Sequence, residues 1–312
     1  MLVGLAAVAV FLVVGCLVSS IFAQQTVAGL AEGAIFGSLA LALVLIYRAT
    51  EVINFAQGEL AMATTYIAFQ LTKDGLSYWE AFFLTLAIAF ALGSIIQLLL
   101  IRPVQHRSPI AVVIVTVGLF FLIDGLVTWR WGAQIQFMKP PFGTTVYHVG
   151  SVTFSRQELG TLLVTIVSVI ALWLLFQFTK LGLAMRAAAL RPAAASLVGV
   201  RVETMFAIGW GLAAALGAVA GLMTEPTSFL QPTMMQSILV YAFAAAVLGS
   251  LESPAGALVG GLLLGVFLNL LGQYVPFFGD PELRLPVALL VLLVVLLVKP
   301  SGLFGRPRVR TV

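Results

Sequence analysis

Three polar side chains interrupt an otherwise apolar stretch early in the chain. Asn54, Gln57 and Glu59 lie in the run VINFAQGE (52–59), and Gly58 permits the backbone to bend there. Irregular backbone at the depth of a membrane is tolerated only where protein buries it or where it lines a water-filled cavity. Two interpretations remain open on spacing alone: a cytoplasmic turn between two membrane spans, or the lining of a path for a polar solute.

Carboxylates inside apolar runs are the usual sign of a transport function. Glu32, Glu59 and Asp124 are in this position, and Glu225 follows directly after a run. An ion-coupled carrier needs carboxylates near the middle of the bilayer, whereas these lie toward the ends of their runs. The position of each residue also fits an ordinary carboxylate near a helix end with access to water. These carboxylates therefore do not establish ion coupling.

Motifs for catalysis and metal binding do not occur in the sequence. None of the four lysines follows a glycine-rich run with Ser or Thr after it, so no phosphate-binding loop is predicted. The HExxH and GxSxG motifs are also absent from the sequence. One cysteine, Cys16, and two distant histidines, His106 and His148, predict neither a disulfide nor a metal site. We predict a protein without catalytic residues and without a bound cofactor.

The composition is that of an integral membrane protein. The chain is 61% apolar and 9% charged, with a mean hydropathy of +1.12, whereas soluble domains carry about 25% charged residues. Apolar runs of roughly 20 residues predict spanning helices, because every backbone polar group must be satisfied internally in lipid. A β-barrel would show alternation with period two. The lipid bilayer is therefore an expected partner, and nucleic acid is not.

The runs predict an all-α integral membrane protein with a single transmembrane domain over residues 1–312. It is a polytopic bundle of about 8–10 transmembrane helices, some short or broken. The first run lacks a basic start, so we interpret it as a span and not as a signal peptide. Residues 130–158 predict an external loop with little regular helix. The candidate spans are 1–22, 26–47, 58–71, 79–101, 111–129, 159–178, 204–223, 237–251, 255–274 and 285–298.

The distribution of Lys and Arg predicts the orientation, since these residues concentrate on the cytoplasmic side. With both termini in the cytoplasm, eleven of them fall inside and five outside. The inner set is Arg48, Arg102, Arg107, Lys180, Arg186, Arg191, Arg201, Lys299, Arg306, Arg308 and Arg310. The outer set is Lys73, Arg130, Lys139, Arg156 and Arg284.

Glycines four residues apart predict close helix packing, because small residues let helix backbones approach each other in lipid. The pairs are Gly217 with Gly221, Gly256 with Gly260, and Gly261 with Gly265.

An alanine-rich polar segment, residues 180–203, separates two long apolar runs. Pro192 fits the first turn of a helix, the alanines after it favour helix, and Gly199 is a natural stop. The segment predicts a short helix of about two turns, too short to be stable alone. Its own membrane body or a docked partner must hold it; an ordinary loop is the alternative.

Three sequence blocks resemble the branched-chain amino-acid permeases of bacterial ABC importers. They are GLAEGAIFGSLALALVLIYRATEVINFAQGELAM (29–62), MRAAALRPAAASLVGVRVE (185–203) and AFAAAVLGSLESPAGALVGGLLLG (242–265). They occur in the family's order, and the match is closer to the smaller of its two paired permeases. Gln57 stands where the family often has histidine, and Arg191-Pro192 where an acidic or amide residue is common.

The resemblance implies a permease subunit of the bacterial inner membrane that moves leucine, isoleucine, valine or a related small solute inward. Two ABC ATPase subunits would supply the energy from ATP and Mg²⁺, which this chain does not bind. A second permease, related or identical, and an extracytoplasmic solute-binding protein are the other expected partners. The expected ATPase-coupling residues are Arg186, Pro192, Ala194, Ala195 and Gly199. The expected path residues are Asn54, Gln57, Gly58 and Glu59.

Two other function classes stay open. One is an ion-coupled secondary carrier, although such carriers usually contain inverted repeats and no repeat is detectable here. The other is a channel-like facilitator for urea or short amides.

Overall fold

Helices account for most of the residues that the structure describes. The computed structural model describes residues 12–15, 19–50, 52–105, 108–149, 152–278 and 280–305. A π-helical turn spans Gln97–Ile101, and a 3₁₀ turn spans Pro276–Phe278. The α-helices are α1 Ser20–Thr50, α2 Gln57–Lys73, α3 Tyr78–Ile96, α4 Arg102–Gln105, α5 Pro109–Trp131, α6 Arg156–Phe178, α7 Lys180–Leu190, α8 Pro192–Leu197, α9 Val202–Ser228, α10 Gln236–Gly249, α11 Pro254–Tyr274 and α12 Pro281–Val298.

The helices confirm the predicted all-α membrane protein. Within the described residues, six helical stretches are long and apolar enough to cross a membrane. They are Ser20–Arg48, Tyr78–Gln105, Pro109–Trp131, Arg156–Phe178, Val202–Ser228 and Pro254–Tyr274. Two of the expected short helices are α2, with 17 residues, and α10, with 14. Each predicted run from residue 26 onward overlaps one helix, and the run 1–22 lies largely outside the described residues.

The predicted external loop contains a β-hairpin that the sequence analysis missed. Strands β1, Val146–Val149, and β2, Val152–Ser155, pair antiparallel, with Tyr147 opposite Phe154. Three of the eight strand residues are valine and two are aromatic, which suits a strand. The loop was correctly predicted to lack long helices, but eight residues were too few to stand out against the apolar runs.

The chain forms two compact units. Unit 1 comprises the described residues of Met1–Leu41, Phe142–Leu163 and Val240–Val312, and unit 2 those of Ala42–Pro141 and Val164–Leu239. The single domain expected over the whole chain stays a prediction.

In unit 1, α1 and α11 pack backbone to backbone at glycines. A methyl group added to Gly261 would collide with the backbone of Gly37, and one added to Gly265 with the backbones of Gly29 and Gly33. Gly256 and Gly260 likewise face α10, where Gly260 lies against the Ala245 carbonyl. All four glycines of α11 that were singled out from their spacing thus lie at helix contacts.

Unit 2 is built around α9, whose spanning window is 78% buried. A methyl group on Gly217 would lie 2.6 Å from Gln57 Nε2, and one on Gly221 would overlap Thr65 of α2. On its other side, α9 packs against α3, where Ser94 Oγ donates a hydrogen bond to the Ala207 carbonyl (3.1 Å). The helix that carries the Gly217 and Gly221 pair therefore holds the unit together.

We expect Gly261→Ala to lower the free energy of unfolding by about 1–3 kcal/mol, because the added methyl group forces α1 and α11 apart. Gly118→Ala in α5 is the matched control, since no described atom lies within 4 Å of its added methyl group. The control should be neutral or more stable, by roughly 0.5–1 kcal/mol. The measurement is reversible unfolding in mixed micelles. Equal stabilities of the two variants would contradict the close packing at Gly261.

Candidate functional site

The backbone before α2 is held in a turn by Asn54. Its Oδ1 accepts a hydrogen bond from the Ala56 N–H (3.1 Å), and its Nδ2 donates to Gln57 Oε1 (3.2 Å). Asn54 and Gln57 are both fully buried. The asparagine thus forms the local side-chain turn that this residue type favours, and it also fixes the amide of Gln57.

Gln57 joins the start of α2 to the middle of α9. Its Nε2 donates to the Ala213 carbonyl (2.9 Å), and Gly217 leaves the space that the amide occupies. Ala213 lies well inside α9, which runs from Val202 to Ser228. The segment 52–59 therefore reaches the level of the middle of α9, and α2 begins there.

Glu59 lies in the first turn of α2 beside the first residues of α10. The Gln236 side chain and the negative charge of Asp124 both lie within electrostatic reach of its carboxylate. Oε2 is buried without a hydrogen-bond partner among the described residues. Gly58 lets the two helices approach closely, because a methyl group added there would lie only 3.2 Å from Leu239 Cβ and 3.3 Å from the Met235 carbonyl oxygen. The positive ends of α2 and α10 both favour the negative charge of Glu59.

A second polar cluster lies in unit 1, between α1, α11 and α12. Asn269 Nδ2 donates to Glu32 Oε2 (2.9 Å), and Arg284 Nη2 donates to Asn269 Oδ1 (3.3 Å). Arg284 Nη1 lies 3.5 Å from Glu32 Oε1. Asn269 is buried, whereas the side chains of Glu32 and Arg284 are 41% and 35% exposed. The three residues form a closed ring of contacts whose charged edge is accessible.

Glu225, the remaining carboxylate noted in the sequence, has a contact that spacing did not predict. Its Oε1 accepts a hydrogen bond from the Met138 N–H (2.9 Å) in the loop after α5. A backbone pair between Gln136 and Leu230 lies beside it. Glu225 thus fastens this loop to the end of α9.

The alanine-rich segment is two helices, where one was expected. Thr179 caps α7, since its Oγ1 accepts a hydrogen bond from the Gly182 N–H (3.0 Å). Met185 is buried and its Cε approaches Gly209 of α9. Arg186 Nη1 contacts Gln177 Oε1 at 3.5 Å. The sequence analysis missed α7 because it treated the residues before Pro192 as connecting chain.

The second helix, α8, begins at Pro192 as predicted and ends at Leu197. Gly199 has a φ of +85°, and the Val200 N–H donates to the Ala195 carbonyl (3.0 Å), which is the usual glycine stop of a helix. Ala195 is buried, and Ala194 is exposed. Leu197 and Val198 are 88% and 79% exposed. The helix is therefore anchored by Ala195 and presents an apolar surface outward.

The predicted residues are thus positioned in two groups. Asn54, Gln57, Gly58 and Glu59 lie together at the start of α2, and the alanine-rich group lies on α7 and α8. Asn269 was not singled out, and Arg284 appeared only in the charge count, because the sequence does not show which helices adjoin.

The family comparison covers most of the chain. The model of the family described as "Branched-chain amino acid transport system / permease component" matches residues 25–296. The chain belongs to this family.

The sequence of this chain is similar to those of curated relatives along nearly their full length. A probable branched-chain amino acid transport permease protein LivH of Methanocaldococcus jannaschii is 31% identical, over 88% of this chain and 91% of the relative. The high-affinity branched-chain amino acid transport system permease protein BraD of Pseudomonas aeruginosa is 31% identical over 93% and 98%. The corresponding LivH of Salmonella typhimurium is 29% identical over 93% and 98%. This chain is accordingly a transport permease with multiple membrane-spanning helices.

We expect Gln57→Leu to lower the free energy of unfolding of this permease by about 1–3 kcal/mol, because the buried Asn54 amide loses its acceptor. Gln25→Leu is the control: its Nε2 donates to Gln273 at an exposed position (3.1 Å), so its effect should stay within about 0.5 kcal/mol. Unfolding in mixed micelles measures both. If the Gln57 variant were as stable as the control, the hydrogen bonds of Gln57 would not stabilise the fold as expected.

Proposed function

We propose that this permease is the transmembrane subunit of an ABC importer in the bacterial inner membrane, and that it moves branched-chain amino acids or a related small solute inward. The permease-family match over residues 25–296 carries the proposal. ATP hydrolysis takes place on two partner ATPase subunits. A second permease and an extracytoplasmic solute-binding protein complete the transporter, and both termini lie in the cytoplasm.

The alanine-rich segment is the proposed contact with the ATPase. Closure of the two ATPase subunits on ATP pushes α8, and the membrane body changes between outward and inward access. The outward-facing Ala194 and Leu197 support this role, since a short apolar helix laid in a groove is a known recognition mode. Arg186 adds charge beside this surface.

The start of α2 is the proposed wall of the solute path. A buried carboxylate oxygen without a partner is costly in hydrocarbon unless water or a polar solute reaches it. Glu59 Oε2 is such an atom among the described residues, and it lies where α2 and α10 both begin.

Transport should require ATP and the ATPase partner. We expect proteoliposomes containing the assembled transporter, supplied with loaded binding protein, to accumulate labelled leucine with ATP and not with a non-hydrolysable analogue. Vesicles containing the permease alone, under a proton or sodium gradient, are the control. Accumulation by the permease alone would favour an ion-coupled carrier and overturn the importer.

Removing the polar groups at the start of α2 should slow uptake. We expect Glu59→Ala and Asn54→Ala each to reduce the initial rate several-fold while the complex still co-purifies, because the path loses polar lining. Glu282→Ala, at an exposed carboxylate of α12, should leave the rate unchanged. Wild-type rates in both Asn54 and Glu59 variants would mean that the segment is only a structural turn.

Enlarging α8 should weaken the ATPase complex. Ala194→Trp adds bulk at the proposed contact, where overpacking costs about 1–3 kcal/mol. Gly199→Val strains the positive φ at the helix stop, by about 1–3 kcal/mol. Both variants should co-purify with less ATPase and show reduced solute-stimulated ATP hydrolysis, whereas Thr144→Trp in the loop before β1 should not. Unaltered co-purification and hydrolysis for Ala194→Trp would mean that α8 is not the contact with the ATPase.

A further inference from the structure

The charged cluster of Glu32, Asn269 and Arg284 lies within the depth of the membrane helices. Asn269 is five residues before the end of α11 and Arg284 three residues after the start of α12, so both are within about 8 Å of the helix ends, at 1.5 Å per residue. Glu32 belongs to α1, one of the spanning helices. A charged pair that faces lipid at such a level is costly. Its exposed edge therefore faces water or another polar group.

The cluster has unused bonding capacity on that edge. The contacts in the structure use Nη1 and Nη2 of Arg284 once each, although a guanidinium carries five N–H donors. Glu32 uses each carboxylate oxygen once, and each oxygen has a further lone pair. The buried Asn269 fixes both charged groups from behind. The remaining donors of Arg284 and the remaining lone pairs of Glu32 are therefore available to the charged groups of a ligand, while the contacts within the cluster stay in place.

An aromatic pair adjoins the charged edge. Phe36 follows Glu32 by one helical turn on α1 and packs against Tyr241 of α10, with ring centroids 4.9 Å apart. Tyr241 lies within the electrostatic reach of both Arg284 and Glu32. The site therefore combines one anion, one cation and the partly exposed ring of Tyr241, which the buried Phe36 supports from behind.

We propose that Glu32 and Arg284 form a binding site for a zwitterionic α-amino acid with an apolar side chain. Its ammonium group binds Glu32, its carboxylate binds Arg284, and its side chain lies against the partly exposed ring of Tyr241. The two charges of an α-amino acid are separated by one carbon atom, which suits a protein pair 3.5 Å apart. The proposal rests on the proposed function, under which this end of α11 faces the delivery side. Such a binding site would select amino acids over urea and neutral amides, which lack both charges.

The test is equilibrium binding of labelled leucine to the permease–ATPase complex in nanodiscs without binding protein. The unlabelled competitors are leucine itself, leucinamide, which lacks the carboxylate, and 4-methylpentanoate, which lacks the ammonium group. In the wild type, leucine should compete at least roughly tenfold better than either analogue, because charge-assisted hydrogen bonds are lost with each group. Arg284→Gln should abolish only the preference for leucine over leucinamide. Glu32→Gln should abolish only the preference for leucine over 4-methylpentanoate.

The ratios are taken within each variant, so a change in the folded fraction does not imitate the result. Gln25→Leu, at the exposed amide contact of α1 with α11, should keep both preferences. Unchanged ratios in the two charge variants, or an equal loss for all ligands, would overturn the assignment. Absence of leucine binding by the wild-type complex would also overturn it. ATP-dependent uptake by the same complex in proteoliposomes, supplied with loaded binding protein, would still support the proposed function.

Discussion

The close approach of helix backbones at glycines is the interaction on which the other features of this permease depend. Lipid provides no hydrophobic drive for helix association, so packing and internal polar contacts must hold the helices together. The contact of Gly261 and Gly265 with α1 also fixes the level at which Glu32 meets Asn269. In unit 2, Gly217 leaves the space through which Gln57 reaches the Ala213 carbonyl. Packing and polar contacts are therefore set by the same glycines.

The polar groups inside the two units differ in how fully they are satisfied. Asn54, Gln57 and Asn269 have partners for their amides, and they position backbone or neighbouring charges. Glu59 keeps one buried oxygen without a partner among the described residues. Buried polar groups are normally paired, and each exception needs an explanation. A solute path that brings water to Glu59 provides one, and it agrees with the membership of a transport family.

Much of the fold follows from the sequence, because apolar length and glycine spacing are local signals. The runs from residue 26 onward correspond to helices, and Pro192 and Gly199 correctly predict the ends of α8. Helix α7 and the β-hairpin were missed, since each is short and lies within a polar stretch. The ring of Glu32, Asn269 and Arg284 depends on which helices adjoin, and Glu32 and Arg284 are 252 positions apart in the sequence. No local pattern contains that information.

Helix α8 links the fold to the proposed function, because it is short, anchored at Ala195, and exposes Leu197. Site-specific photo-crosslinking from Leu197 in the assembled transporter tests this claim most directly. A photoreactive residue at Leu197 should crosslink to the ATPase subunit, and one at Phe83, an exposed residue of α3, should not. Crosslinks from Leu197 to lipid or to the permease alone would contradict the account.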